Sequence, residues 1–79
     1  MFDIDPVTNG WRVLTGGNER GDIYIRRDGF VSYRAMIDRR GAEPADVADH
    51  KIAESALRQI GETKIADQIR RRWRAIDTW

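Results

Sequence analysis

One run of residues has the spacing to hold a metal ion. Asp46, His50 and Glu54 recur at every fourth position, which on a helix places the three side chains along one face. Carboxylate and imidazole groups bind divalent metals, so two of these side chains could share an ion. Metal sites recruit further ligands and supporting hydrogen bonds, however, and the chain has no second histidine and no cysteine. We therefore expect an exposed ladder of polar side chains, opposite the apolar side of the helix, with no metal and no other cofactor.

The chain offers little for covalent or acid–base catalysis. It has no cysteine nucleophile, and no motif supports a triad of serine, histidine and aspartate. The pair Gly16-Gly17 is not followed by the lysine and hydroxyl residue of a phosphate-binding loop. A chain of 79 residues also has little room for a pre-organised pocket. These observations predict a protein that binds a partner and is not an enzyme.

Positive charge is concentrated towards the C-terminus. Residues 63–79 contain five basic residues against two acidic ones, although the net charge of the whole chain is only +1. Three arginines are expected on the solvent side of a helix there: Arg70, Arg71 and Arg74. Guanidinium groups bind carboxylates and phosphates, so this face suits an acidic protein surface or, as the alternative, nucleic acid. A solvated helix face, with Asp67 paired to Arg70 or Arg71, would explain the same residues.

A β-hairpin is predicted around Arg27-Asp28-Gly29, because glycine accepts the positive φ of such a turn. A two-residue loop would pair Ile23 with Arg34 and put arginine on an apolar face. A three-residue loop with a bulge at Gly29 instead pairs Ile25 with Val31, and apolar side chains then share one face. That face comprises Ile23, Ile25, Val31, Tyr33, Ala35 and Ile37.

The opposite face of this hairpin combines aromatic side chains with arginines. It carries Tyr24, Arg26, Phe30, Ser32, Arg34 and Met36. The centres of protein interfaces are enriched in aromatic, arginine and methionine side chains. We take Tyr24, Arg26, Phe30 and Arg34 as a second set of candidate partner-binding residues. Coverage of this face by a helix or by a second copy of the chain is the alternative, so a homodimer is possible.

The remaining pattern predicts one α+β domain over residues 1–79, with a three-stranded antiparallel sheet followed by two C-terminal helices. Residues 1–37 are mainly strands, at 11–15, 22–26 and 30–37. Residues 1–9 are ambiguous: Phe2 and Ile4 alternate with acidic residues, which suits a short edge strand that Pro6 is expected to end. The first helix spans about 44–60, with Pro44 in its first turn and Gly61 as its stop. The second spans 63–77, with Thr63 as its N-cap.

Each predicted helix has one apolar stripe. In the first helix the stripe is Ala45, Ala48, Ile52, Ala53, Ala56, Leu57 and Ile60. In the second it is Ile65, Ala66, Ile69, Trp73 and Ile76, so Trp73 is expected in the core and not on a binding surface. Glu54 and Arg58, four residues apart, are expected to form an ion pair. No segment has the basic start and apolar run of a signal peptide or the length of a membrane span, so we expect a cytoplasmic protein without a membrane partner.

In size and plan the chain resembles the small phage-encoded inhibitors called anti-CRISPR proteins. The resembling features are the hairpin at 22–37, the helix that follows it at 44–60, and a short chain without cysteine. The resemblance implies that the partner is a CRISPR effector complex, a nucleoprotein assembly of the host. It also implies inhibition by occupying a DNA-binding surface or by blocking recruitment of a nuclease. The arginines would then meet acidic protein patches in place of DNA.

Overall fold

The computed structural model describes residues 1–15, 21–33 and 46–77 and shows an α+β architecture. Four antiparallel strands form one sheet in the order of the chain: β1 (Asp3–Val7), β2 (Gly10–Leu14), β3 (Ile23–Arg26) and β4 (Val31–Tyr33). Two helices follow, α1 (Val47–Gln59) and α2 (Thr63–Asp77). Neither helix combines the length and apolar character that would be needed to cross a membrane.

The prediction of three strands is wrong, because the N-terminal segment forms a complete edge strand. β1 pairs with β2 from Asp3 opposite Leu14 to Val7 opposite Gly10. Pro6 does not end the strand but lies within it, opposite Trp11. An edge strand has a partner on one side only, so it can include a proline whose missing N–H would disrupt a central strand.

The register of the β3–β4 hairpin is confirmed. Ile25 pairs with Val31, and Ile23 pairs with Tyr33. Gly29 has a φ of +86°, the left-handed conformation that the three-residue loop requires. Arg34, Ala35, Met36 and Ile37, which the sequence assigns to the same strand, lie outside the described residues.

Both helices pack on one face of the sheet. The fully buried apolar residues form one cluster from β2, β3, β4, α1 and α2: Trp11, Val13, Ile23, Ile25, Val31, Ala53, Ala56, Leu57, Ala66 and Ile69. Phe2 and Ile4 pack against the edge of this cluster. Because α2 contributes to this cluster, the alternative in which it covers the opposite face does not hold.

The ends of α1 are set by local hydrogen bonds. Asp46 is the N-cap, and its side chain accepts a hydrogen bond from the backbone N–H of Asp49. In return, the Asp49 side chain accepts one from the backbone N–H of Asp46. The helix therefore begins at Val47, three residues after the predicted start. At the other end Gly61 has a φ of +83°, and its backbone N–H donates to the Arg58 carbonyl. The backbone N–H of Glu62 donates to the Leu57 carbonyl. This turn leads directly into α2. Thr63, which the sequence predicted as the N-cap before this helix, is instead its first residue.

The apolar stripe predicted for α1 is wrong in part. Ala48 and Ile60 are exposed, whereas Asp49, His50 and Glu54 are buried. The helix contacts β3 and β4 on one side and α2 on another, so it buries a wider arc than one stripe. The Asp46, His50 and Glu54 row is thus not the exposed ladder expected from the sequence. In α2, Ile76 is also exposed, because it lies near the end of the helix, where Ala75 and Asp77 are exposed as well.

Candidate interaction surface

On the side of the sheet opposite the helices no other helix or strand packs among the described residues, and we call this side the outer face. Alternation along each paired strand assigns its residues. They are Asp3, Asp5, Val7, Arg12, Leu14, Tyr24, Arg26, Phe30 and Ser32. Of the predicted hairpin residues, Tyr24, Arg26 and Phe30 lie on this face, whereas Arg34 lies outside the described residues.

The outer face carries much of the exposed apolar surface. Six large apolar side chains are exposed in the part of the chain that the structure describes. Three belong to this face: Val7 at 38%, Leu14 at 37% and Phe30 at 43% exposure. Val7 and Phe30 lie at one end of the sheet and Leu14 at the other. Apolar side chains therefore flank the face at both ends.

A polar row crosses the centre of the outer face. Asp5, Arg12, Tyr24 and Ser32 lie opposite one another on the four successive strands. The Arg12 guanidinium donates to the Asp5 carboxylate at 2.8 Å and also bonds the Tyr24 side chain. These hydrogen bonds, that to Asp5 foremost, raise the pKa of Arg12. Arg12 is thus fixed and charged, while its buried Nε atom has no hydrogen-bond acceptor among the described residues.

The turn between β3 and β4 fixes cations at one end of the sheet. The Asp28 carboxylate accepts from Arg26 at 2.6 Å and from the Phe30 backbone N–H at 3.1 Å. The bond from the Phe30 N–H is the main cause of a lowered Asp28 pKa, and the charge of Arg26 adds to it. The Arg26 guanidinium lies 5.4 Å from the centre of the Phe30 ring, and that of Arg27 lies 5.2 Å from the Trp11 ring.

The same turn touches α2. Arg72 donates to the Asp28 carbonyl at 3.1 Å, and the side chains of Gln68 and Arg72 lie against Gly29. Sequence spacing gave two separate candidate surfaces, one on the hairpin and one on the arginine-rich helix. The structure joins them through Arg72, which was not among the candidate residues. We call the guanidinium groups of Arg26, Arg27 and Arg72 around this turn the cationic corner.

The arginine run of α2 is not a uniform outward-facing surface. Arg70, expected on the solvent side, forms an ion pair at 3.0 Å with the buried carboxylate of Glu54. Asp67 pairs with Arg58 at 2.8 Å and not with Arg70 or Arg71. Arg71 and Arg74 are exposed as expected, and neither forms an ion pair within the described residues. Arg70 and Arg72 therefore bond other parts of the chain, so the exposed basic face is smaller than the sequence indicated.

The Glu54 cluster fastens α2 to α1. Glu54 is 5% exposed and accepts from Trp73 Nε1 at 2.7 Å and from Arg58, the pair expected from the sequence, at 3.0 Å. His50 is 8% exposed, and its Nδ1 donates to the Asp46 carbonyl at 2.8 Å. Among the described side chains no group of three histidines or acids is arranged to hold a metal ion. Glu54 and His50 thus hold α1 and α2 through hydrogen bonds with other described residues.

Comparison with known proteins adds no candidate. The chain matches no family model, no curated protein and no solved structure. Among the described residues, the outer face and the cationic corner are the two surfaces that combine exposure with fixed side chains. Seven of their members were not predicted from the sequence: Asp3, Asp5, Val7, Arg12, Leu14, Arg27 and Arg72.

Proposed function

We propose that this chain is a non-catalytic protein-binding module that contacts its partner through the outer face. The observation that carries the proposal is a sheet face on which no described helix or strand packs, with exposed apolar side chains at both ends and Arg12, held by Asp5, beside Tyr24 between them. Aromatic, arginine and apolar side chains held in place are typical of interface centres, because little side-chain entropy is lost when the partner docks.

The charges on the outer face support a protein partner. Asp3 and Asp5 lie on β1, whereas Arg26, which is part of the cationic corner, lies on β3. A nucleic acid is negative along its whole length, so β1 would repel it where the corner attracted it. A protein surface can present acids to the corner and bases to β1, which gives complementary contacts at both ends.

The partner class that we propose is a host nucleoprotein complex such as a CRISPR effector, with the chain acting as a phage-type inhibitor. The plan of a hairpin followed by a helix in a short chain without cysteine supports this proposal. Effectors hold nucleic acid on basic protein surfaces and also have acidic patches. An inhibitor of this kind would bind by the outer face and obstruct DNA or nuclease access, without any chemical step.

Substitutions on the outer face are expected to weaken partner binding. A partner captured in stoichiometric amounts from a bacterial lysate and then purified should bind Leu14→Ser and Phe30→Ser at least roughly tenfold more weakly than the unsubstituted chain. Both side chains are exposed, so the folded state should persist, which thermal unfolding checks. Isothermal titration calorimetry measures the affinities.

Two exposed apolar residues outside the outer face provide matched controls. Ile60 is 41% exposed and Ile76 is 49% exposed. We expect Ile60→Ser and Ile76→Ser to change affinity by less than about twofold, because residues outside an interface contribute little to binding. Equal losses in all four variants, or capture of no stoichiometric protein, would contradict the proposal.

Nucleic-acid binding by α2 is the second candidate function. The observation that favours it is the exposure of Arg71 and Arg74, which form no ion pair among the described residues. Because protein binding is the stronger proposal, we expect no shift of short DNA or RNA in gels at physiological salt. A shift that weakens steeply with salt, and that Arg71→Gln with Arg74→Gln reduces, would favour this second function.

A further inference from the structure

A shallow, open depression lies at the cationic corner. Its lining comes from the two turns at the same end of the sheet: Asn9, Arg26, Arg27 and Asp28. The Arg27 backbone N–H donates to the Asn9 carbonyl at 3.0 Å, which ties the turns together. Arg72 reaches the Asp28 carbonyl from α2. Three guanidinium groups from two parts of the chain therefore meet around one turn.

The corner has more positive than negative charge. Among the described residues of its lining Asp28 is the only acid, and its two carboxylate oxygens already accept from Arg26 and from the Phe30 N–H. Arg27 forms no ion pair within the described residues, and its guanidinium is held over the ring of Trp11, which is 7% exposed. Arg27 is thus a positioned cation that has no acidic partner among the described residues.

Stacked guanidinium groups suit an incoming carboxylate. A guanidinium that rests on an aromatic ring still presents its N–H groups at its edge, where a carboxylate binds them in pairs. Arg26 over Phe30 and Arg27 over Trp11 both have this arrangement. Because the rings and Asp28 already restrict these side chains, little side-chain entropy is lost when a carboxylate binds.

The surroundings of the corner indicate a protein segment. Val7 and Phe30 are exposed at the same end of the sheet. An apolar side chain next to an acid in a partner segment could therefore pack against them. A nucleic-acid strand gains affinity from many phosphates, whereas the corner offers three cations, and the acids of β1 share the outer face with one of them, Arg26.

We propose that the cationic corner anchors an acidic segment of the partner protein, with aspartate or glutamate carboxylates on Arg27 and its neighbours and an adjacent apolar residue against Val7 or Phe30. This inference rests on the proposed protein-binding function and names the chemistry of the partner. It also assigns binding roles to Arg27 and Arg72.

The test uses the intact chain labelled with ¹⁵N and a defined peptide, acetylated and amidated, with two repeats of glutamate-glutamate-leucine. We expect titration to shift the backbone amides of Arg27 and Asp28 and the indole N–H of Trp11. Arg27→Gln should weaken binding by roughly tenfold, the usual effect of losing a charged hydrogen-bonding partner. Lys51→Gln removes one positive charge from α1, where Lys51 lies over the Trp73 ring, and should leave the peptide affinity unchanged.

Three other probes have defined outcomes. The same peptide with glutamine in place of glutamate should cause no shift at these amides, and inorganic phosphate or a single-stranded thymidine oligonucleotide should cause smaller shifts than the glutamate peptide. Equal shifts from the glutamine peptide or phosphate, or stronger binding of the oligonucleotide, would overturn the inference. If the glutamate peptide did not bind while Leu14→Ser still weakened binding of the captured partner, this inference alone would be overturned. Peptide binding without any effect of Leu14→Ser on the partner would instead overturn the proposed function.

Discussion

Replacing Gly10 by alanine should destabilise the fold by about 3 kcal/mol or more, the upper range for forcing atoms into a packed site. A Cβ atom at this position would overlap the carbonyl oxygen of Ile25 and would lie 2.9 Å from the carbonyl carbon of that residue and 3.0 Å from the Arg26 Cα. These are backbone atoms of the neighbouring strand, so no side chain can move aside. β2 would have to separate from β3 beside Trp11, which belongs to the buried cluster.

Chemical denaturation followed by circular dichroism measures this effect. Gly61→Ala is the matched control, because Gly61 has a φ of +83° but nothing within 4 Å of an added Cβ. Its cost should be limited to the left-handed backbone of a non-glycine residue, about 1–2 kcal/mol. If Gly10→Ala were as stable as Gly61→Ala, the close approach of β2 and β3 at Gly10 would be wrong.

Removing the Glu54 carboxylate should cause the second large loss, about 2–3 kcal/mol for Glu54→Ala. Breaking a fully buried ion pair costs roughly 3–5 kcal/mol, but Arg58 and Arg70 are partly exposed, so water can solvate them after the substitution. Trp73 Nε1 would also lose its acceptor. Ser55→Ala, at the exposed neighbouring position, should change the free energy of unfolding by no more than about 0.5 kcal/mol. Equal stability of the two variants would contradict the role of the Glu54 cluster.

The Glu54 cluster also sets an acid sensitivity. Burial raises the pKa of Glu54, but the hydrogen bonds from Trp73 and Arg58 and the charges of Arg70 and Arg58 outweigh it, so the net pKa lies below its ordinary 4.5. A carboxylate with a lowered pKa in the folded state stabilises the fold above its ordinary pKa and loses that contribution as the pH falls through the folded value. At pH values below about 4.5 the free energy of unfolding should therefore decrease, and it should decrease less steeply in Glu54→Gln. Some slope should remain, because the pKa of Asp67 is lowered too, chiefly by its hydrogen bond from Arg58.

Local signals in the sequence were read correctly where neighbouring residues decide the structure. The β3–β4 register follows from Gly29 and from the need to keep Ile23 and Ile25 on the apolar face, and the structure has that register. Gly61 ends α1 for an equally local reason. The α+β architecture follows from the same kind of pattern.

Long-range pairing decided what the sequence did not reveal. Pro6 indicated the end of a strand, but pairing with β2 keeps it within β1, and only that pairing assigns Val7 and Leu14 to the outer face. Periodicity treated Arg70 as a surface residue, whereas the Glu54 carboxylate sixteen positions earlier makes it an interhelical contact. The capping pair of Asp46 and Asp49 is a local signal that could have given the start of α1.

The most direct test of the central claim is where a bound partner touches the chain. A photo-reactive benzoylphenylalanine in place of Tyr24, at the centre of the outer face, should cross-link to the captured partner on irradiation. The same group in place of Ile76, near the end of α2 and away from the sheet, should not. Cross-links from position 76 with none from position 24 would show that the partner binds the helical side, and the outer face would not be its binding site.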